Sequence, residues 1–452
     1  MYDQLNELQT WIKQQAIPLT TTDPTEPLDD LLPLQQLIGD ASLVGLGEAT
    51  HGSHEFFAMK HRLLTFFVEK MGFTMFAIEG SWSAGEKINH YVLTGEGSAE
   101  DVLQQFYFWT WSTQEVLALI KWLRAYNADP QHSQKVMFAG FDCQNIQSNT
   151  YDAVLQYLRT VDPQSAARAE SLYQDFRPEP GEDMRLHIAN YRQLPQTIRQ
   201  TYTEQAQQVF DLLQQHQVAY MARLSPQEYE QALQEARVIA QSTQLLSNSL
   251  NLAGRGGLRE MNSKRDAFRE MSNKRDAFMV ENTTWLHEHA NGGTKMVLWA
   301  HNGHLQTAAD TRHQPIWKRM GMHLRERYQS RYVAIGMSFY EGAFYSRGID
   351  SEGSMTEVQP FHIQAIQDSY NALFGSIGLP LYLLDLRHIP EGPVKEWVSE
   401  PHPLLSLGAA YDAAATDVLD KHYGLPDLPR SFDLVIHFQQ VTISQFIPIA
   451  HL

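Results

Sequence analysis

Acidic and imidazole side chains recur in this chain at the ends of short apolar runs. Residues 47–55 (GEATHGSHE) follow one such run and place a carboxylate, Glu48, three positions before an imidazole, His51. Three further runs lead to Glu79, to Asp142, and to the pair His301 and His304. Ligands of α/β proteins lie at the carboxyl ends of the strands, where these side chains would meet. The pattern predicts a site for histidine and carboxylate chemistry on water, with or without a metal.

The apolar runs themselves predict the strands that position these side chains. Seven runs, separated by helical periodicities, span residues 42–46, 72–79, 135–142, 295–300, 332–337, 379–384 and 432–437. Short continuous apolar runs are typical of parallel strands that are buried on both faces. We therefore expect an α/β fold with a largely parallel central sheet flanked by helices.

The composition changes after about residue 145. Gln, Glu, Ala and Arg dominate up to about residue 249, with helical periodicity and no evident strand. We expect residues 1–145 and 291–452 to form the two parts of the α/β core. Residues 146–290 are expected to be a mainly helical insertion, acting as a lid over a cleft or as a second subdomain.

One lysine interrupts the apolar stripe of the helix predicted from about residue 53 to residue 69. Lys60 stands among Phe56, Phe57, Leu63 and Leu64 at helical spacing. A lysine in that position either extends its ammonium group to solvent or pairs with a buried carboxylate. Because a strand end rich in carboxylates lies close by, we expect the pair.

Two other segments are candidates for contact with a ligand. Residues 106–111 are almost all aromatic, and Phe108, Trp109 and Trp111 either pack in the core or form a wall for a bulky apolar ligand. Residues 259–268 and 269–278 form a near-perfect tandem repeat. A step of ten residues is not a whole number of helical turns, so the two copies cannot face the same way. If one copy is functional, we expect the second, which contains Arg275.

Composition excludes several classes of protein. The chain has 452 residues, a formal charge of −17 and a single cysteine, so neither nucleic-acid binding nor an internal disulfide is expected. No signal peptide or membrane-spanning run is evident, and we expect a soluble, cytoplasmic protein. The sequence also lacks the serine-hydrolase elbow, the phosphate-binding loop, the dinucleotide fingerprint and the His-Glu-x-x-His motif.

Five short motifs in order resemble the erythromycin esterase family. They are GEATHG at 47–52, FAIE at 76–79, WLRAYN at 122–127, GFD at 140–142 and AHNGH at 300–304. The resemblance extends from about residue 43 to the last predicted strand and weakens in the helical insertion. It implies hydrolysis of an ester, in the macrolide case opening of the macrolactone ring and thus antibiotic resistance by inactivation.

The resemblance also implies roles for individual residues. His51 would be the general base that takes a proton from water, and Glu48 and Glu79 would be the essential carboxylates. His301 and His304 could donate to the developing oxyanion, and Lys60 could hold a site carboxylate. Asp142 and Arg275 are further candidates for substrate contact.

Two alternatives stay open at this point. The same glutamates and histidines could hold a divalent metal such as zinc in a metal-dependent hydrolase, although we expect no cofactor. The chain could also be a binding protein for a bulky ligand and have no catalytic activity. The partner expected in the first instance is a small-molecule ester, and the sequence does not indicate the oligomeric state.

Overall fold

The computed structural model describes residues 2–248, 258–289, 294–310, 318–351 and 353–447, and the side chains among them except those of residues 2, 3 and 258–268. The boundary predicted at residues 290 and 291 lies outside these ranges. The strands are β1 Ile17–Pro18, β2 Leu43–Leu46, β3 Met75–Ser81, β4 Met137–Asp142, β5 Met296–Trp299, β6 Tyr332–Ile349, β7 Met355–Gln364, β8 Leu381–Asp385, β9 Leu404–Leu405, β10 Ala410–Tyr411, β11 Tyr423–Gly424 and β12 Leu434–Val441.

Helices precede and follow most of these strands. The α-helices are α1 Tyr2–Gln15, α2 Pro33–Ile38, α3 His54–Met71, α4 Trp82–Thr94, α5 Ala99–Gln104, α6 Gln114–Ala128, α7 Ser148–Val161, α8 Pro163–Tyr173, α9 Met184–Gln193, α10 Gln196–Gln215, α11 Gln217–Arg223, α12 Pro226–Asn248, α13 Leu258–His289, α14 Asn302–Leu305, α15 Met320–Tyr328, α16 Tyr370–Gly375, α17 Pro393–Ser399, α18 Val418–His422 and α19 Leu428–Ser431. Short 3₁₀ helices span Asp29–Leu31, Trp109–Trp111 and Gln329–Arg331.

The fold is an α/β fold built on one large, mostly parallel sheet. Its ten strands include a continuous path in the order β1-β8-β12-β6-β2-β5-β3-β4, with β7 and β10 also paired to β6. Strands β12, β6, β2, β5, β3 and β4 are parallel to one another, whereas β8 pairs antiparallel with β12, β1 with β8 and β7 with β6. Hydrophobic clusters cover both faces of the sheet. This explains why its central strands are continuous apolar runs.

All seven predicted strands are present, and the structure adds others that were not predicted. Strand β7 was not predicted, because residues 355–364 mix polar and apolar side chains and form no continuous apolar run; they pair antiparallel with β6. The two-residue strands β1, β9, β10 and β11 were not predicted either. None of these differences affects the parallel strands that lead to the predicted site residues.

The helices between β4 and β5 bring a distant part of the chain to the sheet. Helices α7 and α10 both pack on α12, and α12 packs on α13. Helix α13 also lies against β4, where the Asn282 side-chain amide donates to the Phe141 carbonyl at 3.1 Å. The insertion thereby places α13, the helix that carries Arg275, beside the end of an edge strand. None of the helices in the described ranges has the length and hydropathy that crossing a membrane requires.

Candidate active site

The carboxyl ends of four neighbouring parallel strands open into one cavity of about 630 Å³. Five of the residues singled out from the sequence at these ends line it, as does one from α13: His51, Glu79, Asp142, His301, His304 and Arg275. Glu48 and Lys60 lie behind His51 and are fully buried. Glu79 is not the last residue of its strand, since β3 continues to Ser81 past a register shift against β4.

The first arm of the site is a chain of contacts from His51 into the core. His51 Nδ1 lies 2.6 Å from Glu48 Oε1, and Lys60 Nζ lies 2.6 Å from Glu48 Oε2. The Trp299 indole N–H donates to the same carboxylate oxygen at 2.8 Å, and the Lys60 ammonium lies 4.5 Å from the centre of a Trp299 ring. The predicted pairing of Lys60 with a carboxylate is confirmed by this geometry.

Electrostatics fix the charge of this arm. Burial opposes ionisation of Glu48, but Lys60 and His51 outweigh it and lower the pKa of the carboxyl. Burial lowers the pKa of Lys60 to about 8, although Glu48 acts in the opposite direction. An ionised Glu48 accepts hydrogen bonds only, so the proton of neutral His51 resides on Nδ1. The lone pair of the ring is then on Nε2, and the imidazole borders the cavity.

Glu79 is the centre of the site and collects three donors. Its Oε2 accepts the His301 backbone N–H at 3.0 Å, and its Oε1 lies 2.8 Å from Arg275 Nη2 and 3.2 Å from His304 Nε2. Arg275 also donates to Asp142 Oδ2 through Nη2 at 2.7 Å and through Nε at 3.1 Å. Burial disfavours the charge of Glu79, but His304 and Arg275 lower its pKa well below the usual value.

The second arm of the site supports His304. His304 Nδ1 lies 2.5 Å from Asp276 Oδ1, and Arg319 Nη1 lies 3.2 Å from Asp276 Oδ2. Burial disfavours the imidazolium, but Glu79 and Asp276 outweigh it and raise the pKa of His304 to about 9. At neutral pH His304 is therefore protonated, with one N–H toward each carboxylate.

The ring of His301 makes different contacts from those of His51 and His304. The Gly303 backbone N–H donates to His301 Nδ1 at 3.1 Å, so the ring proton is on Nε2, which lies 3.1 Å from the Leu407 carbonyl oxygen. Burial and the nearby His51 lower the pKa of His301 to about 3. The ring is neutral and its single N–H is already engaged. In this arrangement it has no N–H to offer an oxyanion, contrary to the role expected from the sequence.

Asn302 connects the strand ends behind the histidines. Its backbone N–H donates to the Glu48 carbonyl at 2.9 Å, and its side-chain amide exchanges two hydrogen bonds with the backbone of Met337, at 2.7 and 3.1 Å. The motif at 47–52 also needs its second glycine, because a Cβ on Gly52 would lie 2.0 Å from the Tyr345 carbonyl oxygen. Strands β2, β5 and β6 are thus held together at the point where the side chains enter the cavity.

The aromatic segment divides between the cavity wall and the core. Phe108 and Trp111 line the cavity, and the Trp111 ring packs edge-on against His51 with 6.0 Å between centroids. Trp109 is also buried but does not line this cavity, so the wall expected from three rings is made by two. The opposite wall comes from residues 404–409 and from Tyr423 and Pro426, far along the chain.

The sequence did not identify several residues that complete the site. Asp276 and Arg319 support His304, Trp299 and Asn302 support the first arm, and Leu407 contributes only its carbonyl group. Asp276 was visible as the neighbour of Arg275 in the repeat, yet its histidine partner gives no local signal. Of the first copy of the repeat, the structure describes the backbone helix but not the side chains. In the described ranges, no group of three or more His, Cys, Asp and Glu side chains is arranged to hold a metal ion.

Histidines paired with carboxylates lie at the carboxyl ends of the parallel strands. This arrangement indicates a hydrolase-like protein, and the sequence has no nucleophilic serine motif. A sequence model described as erythromycin esterase matches residues 68–441, and the chain belongs to this family. It is thus placed among hydrolases. The family resemblance predicted from the motifs is confirmed.

Individual relatives extend over almost the whole chain. The erythromycin esterase type II of Escherichia coli is 24% identical over 455 residues, covering 97% of this chain and 98% of its own. A crystal structure of a succinoglycan biosynthesis protein is 29% identical with a TM-score of 0.78, covering 97% and 98% of the two chains. A mutant of the erythromycin esterase EreC in its open conformation has a TM-score of 0.71 at 15% identity, with 96% and 98% covered. The last of these supports the fold alone.

Proposed function

We propose that this protein hydrolyses a carboxylic ester with a water molecule activated by His51, without a metal ion. The observation that carries the proposal is the contact between His51 Nδ1 and the buried, ionised carboxylate of Glu48. It holds the imidazole in the tautomer whose Nε2 lone pair can accept a proton. An imidazole is suited to this role because its unperturbed pKa lies near neutrality.

The reaction follows from the positions of the charged groups. His51 Nε2 takes a proton from water, the water oxygen bonds to the ester carbonyl carbon, and the carbonyl oxygen becomes an oxyanion. Three N–H groups of Arg275 face Asp142 and Glu79, and Nη1 lies 3.1 Å from His304 Nε2. Protonated His304 accepts no hydrogen bond, so the N–H groups of Nη1 are the Arg275 donors available to the oxyanion. The tetrahedral intermediate then collapses as the bond to the alcohol oxygen breaks.

The macrolactone of a macrolide antibiotic is the substrate that we propose first, because the chain belongs to the erythromycin esterase family. The cavity volume of about 630 Å³ lies within the range of about 300–1,000 Å³ that is usual for pockets that hold drug-sized ligands. Phe108 and Trp111 give this cavity an apolar wall beside the charged groups. Because the relatives also include a protein named for succinoglycan biosynthesis, O-acyl esters of polysaccharides are the second class of substrate to test.

Mass spectrometry after incubation with esters tests the proposal. The panel contains 14- and 16-membered macrolides, O-acylated sugars and p-nitrophenyl esters, and the expected product of a lactone is heavier by one water. We expect His51→Asn to lose activity by at least about 10²-fold, the lower range for general base catalysis. His54→Asn is the matched control, since His54 lies three residues after His51 but pairs with Glu115 and does not line the cavity.

Three outcomes would contradict the proposal. Turnover by His51→Asn at the wild-type rate would reject the assignment of the base. Loss of activity on chelation, restored by zinc or manganese, would favour the metal-dependent alternative. Binding of a bulky ligand with no hydrolysis of any ester on the panel would favour a non-catalytic binding protein.

A further inference from the structure

The two arms of the site have the same construction. In each arm, a histidine that borders the cavity has its Nδ1 against a buried carboxylate, and a cation lies on the other oxygen of that carboxylate. The arms are His51–Glu48–Lys60 and His304–Asp276–Arg319. They come from different elements, since the first is built from the β2 end and α3, and the second from α13, α14 and the residue that caps α15.

The arms differ at the second ring nitrogen. Among the described residues, none forms a hydrogen bond with His51 Nε2, whereas His304 Nε2 lies 3.2 Å from Glu79 Oε1 and 3.1 Å from Arg275 Nη1. Titratable and charged groups surround His304. They are Glu79 of β3, Asp142 of β4, Arg275 and Asp276 of α13, Arg319 before α15, and the histidines 51 and 301.

We propose that His304 is the general acid that protonates the departing alcohol oxygen, and that Asp276 and Arg319 are positioning residues for it. This inference rests on the proposed ester hydrolysis. When the bond between the carbonyl carbon and the alcohol oxygen breaks, its electron pair stays on that oxygen, which takes the proton from His304 Nε2. His304 then regains a proton from solvent, and His51 releases to solvent the proton it took from water.

Both protonation states of His304 have a hydrogen-bond partner. The protonated ring donates from Nε2 to Glu79, and the neutral ring can accept at Nε2 from Arg275 Nη1. Glu79 keeps its contacts with Arg275 and the His301 backbone N–H when the proton leaves. A general acid is reprotonated in every catalytic cycle. It needs a hydrogen-bond partner in both protonation states, because an unpaired buried polar group lowers the stability of the fold.

Electrostatics hold the second arm in the protonation state that a proton donor requires. The carboxylates of Glu79 and Asp276 keep His304 protonated at neutral pH, with a pKa of about 9. Acid and base roles in one site are assigned by the environments of the groups. A buried imidazolium between two carboxylates fits the acid role.

Dependence on the leaving group distinguishes an acid from an oxyanion donor. Esters of one carboxylic acid with p-nitrophenol, phenol and simple alkyl alcohols are compared in wild-type protein and in His304→Asn. For alkyl esters we expect kcat to fall by about 10²–10⁴-fold, the usual contribution of general acid–base catalysis. For the p-nitrophenyl ester, whose leaving group needs no proton, the loss should be less than about tenfold. His287→Asn, on α13 and outside the cavity, is the control.

An equal loss for all leaving groups would overturn the inference while the ester hydrolase proposal stands. If the wild-type protein hydrolyses no ester, both the acid role of His304 and the ester hydrolase proposal are contradicted. A second measurement needs no substitution at His304: it is the ratio of kcat for alkyl esters to kcat for p-nitrophenyl esters in the wild type, which should fall as pH rises through about 9. Asp276→Asn should move this fall in the ratio to lower pH. Deprotonation of Lys60, with its pKa of about 8, lowers kcat for both ester types alike and cancels in the ratio, so a ratio that does not change with pH would contradict the acid role.

Discussion

Replacing Lys60 by methionine tests whether the buried ion pair sets the charge of the first arm. Lys60 and Glu48 are both fully buried, and their charged groups are 2.6 Å apart. Without the ammonium group, Glu48 keeps two donors, His51 Nδ1 at 2.6 Å and Trp299 Nε1 at 2.8 Å. Burial alone raises the pKa of a carboxyl, so we expect Glu48 to become protonated and His51 to lose its anionic partner.

The expected loss of stability follows from the cost of an unpaired buried charge. Removing one partner of a buried ion pair typically costs about 3–5 kcal/mol. Lys60→Met and Glu48→Gln should each lose an amount in this range. The double variant replaces both charges by neutral groups of similar volume, so its loss should be smaller than the sum of the single losses by about 2 kcal/mol or more.

Urea unfolding followed by tryptophan fluorescence and by circular dichroism measures these free energies. Lys70→Met, an exposed lysine of the same helix, is the matched control and should stay within about 0.5 kcal/mol of wild type. All three variants at positions 48 and 60 should lose ester hydrolysis, because none retains the charged carboxylate beside His51 with its cation. Single losses that simply add, within about 0.5 kcal/mol, would refute the coupling that we infer.

Two further predictions concern stability away from the reacting groups. Gly85→Ala should destabilise the protein by about 1–3 kcal/mol, because a Cβ there would lie 2.0 Å from the Gly140 backbone nitrogen where α4 crosses β4. An unchanged melting temperature would show that the two elements can separate freely. His437→Gln should flatten the loss of stability in acid. Burial lowers the pKa of His437 and His301 to about 3 and that of His61 to about 4, so the folded state binds fewer protons than the unfolded state below pH 6.5. Each such histidine contributes a slope of up to about 1.4 kcal/mol per pH unit. Stability therefore decreases as the pH is lowered from about 6 to 4.5, and urea unfolding across this window should show a slope smaller by up to about 1.4 kcal/mol per pH unit in the variant.

The sequence predicts the parallel sheet well because its strands are buried on both faces. A strand such as β2, with every residue buried, must be apolar throughout and is visible without any knowledge of its neighbours. Strand β7 is not visible in the same way, because its polar residues alternate on an edge that faces solvent. The pairing of Lys60 was predictable, since a lysine in an apolar stripe has few other ways to be accommodated.

The predictions at the site fail where a contact depends on tertiary structure alone. Asp276 and His304 are on different helices, and no spacing in the sequence relates them. Leu407 takes part through its carbonyl group, which every residue type has, so its side chain could not indicate the contact with His301. Of the two alternatives left open for the aromatic segment, Trp109 follows core packing, because helical geometry turns neighbouring rings in different directions.

The central position of β2 has a consequence for synthesis of the chain. Leu43 pairs with Met296 on one side and with Tyr332 on the other. Strand β2 is synthesised early but cannot pair until much of the second half of the chain has been synthesised. Loop closure over such long sequence separations is slow. Until then, the apolar edge of β2 and the charges of Glu48 and Lys60 lack their final surroundings. Chains that stop before residue 296 should consequently be substrates for chaperones and proteases rather than smaller folded proteins.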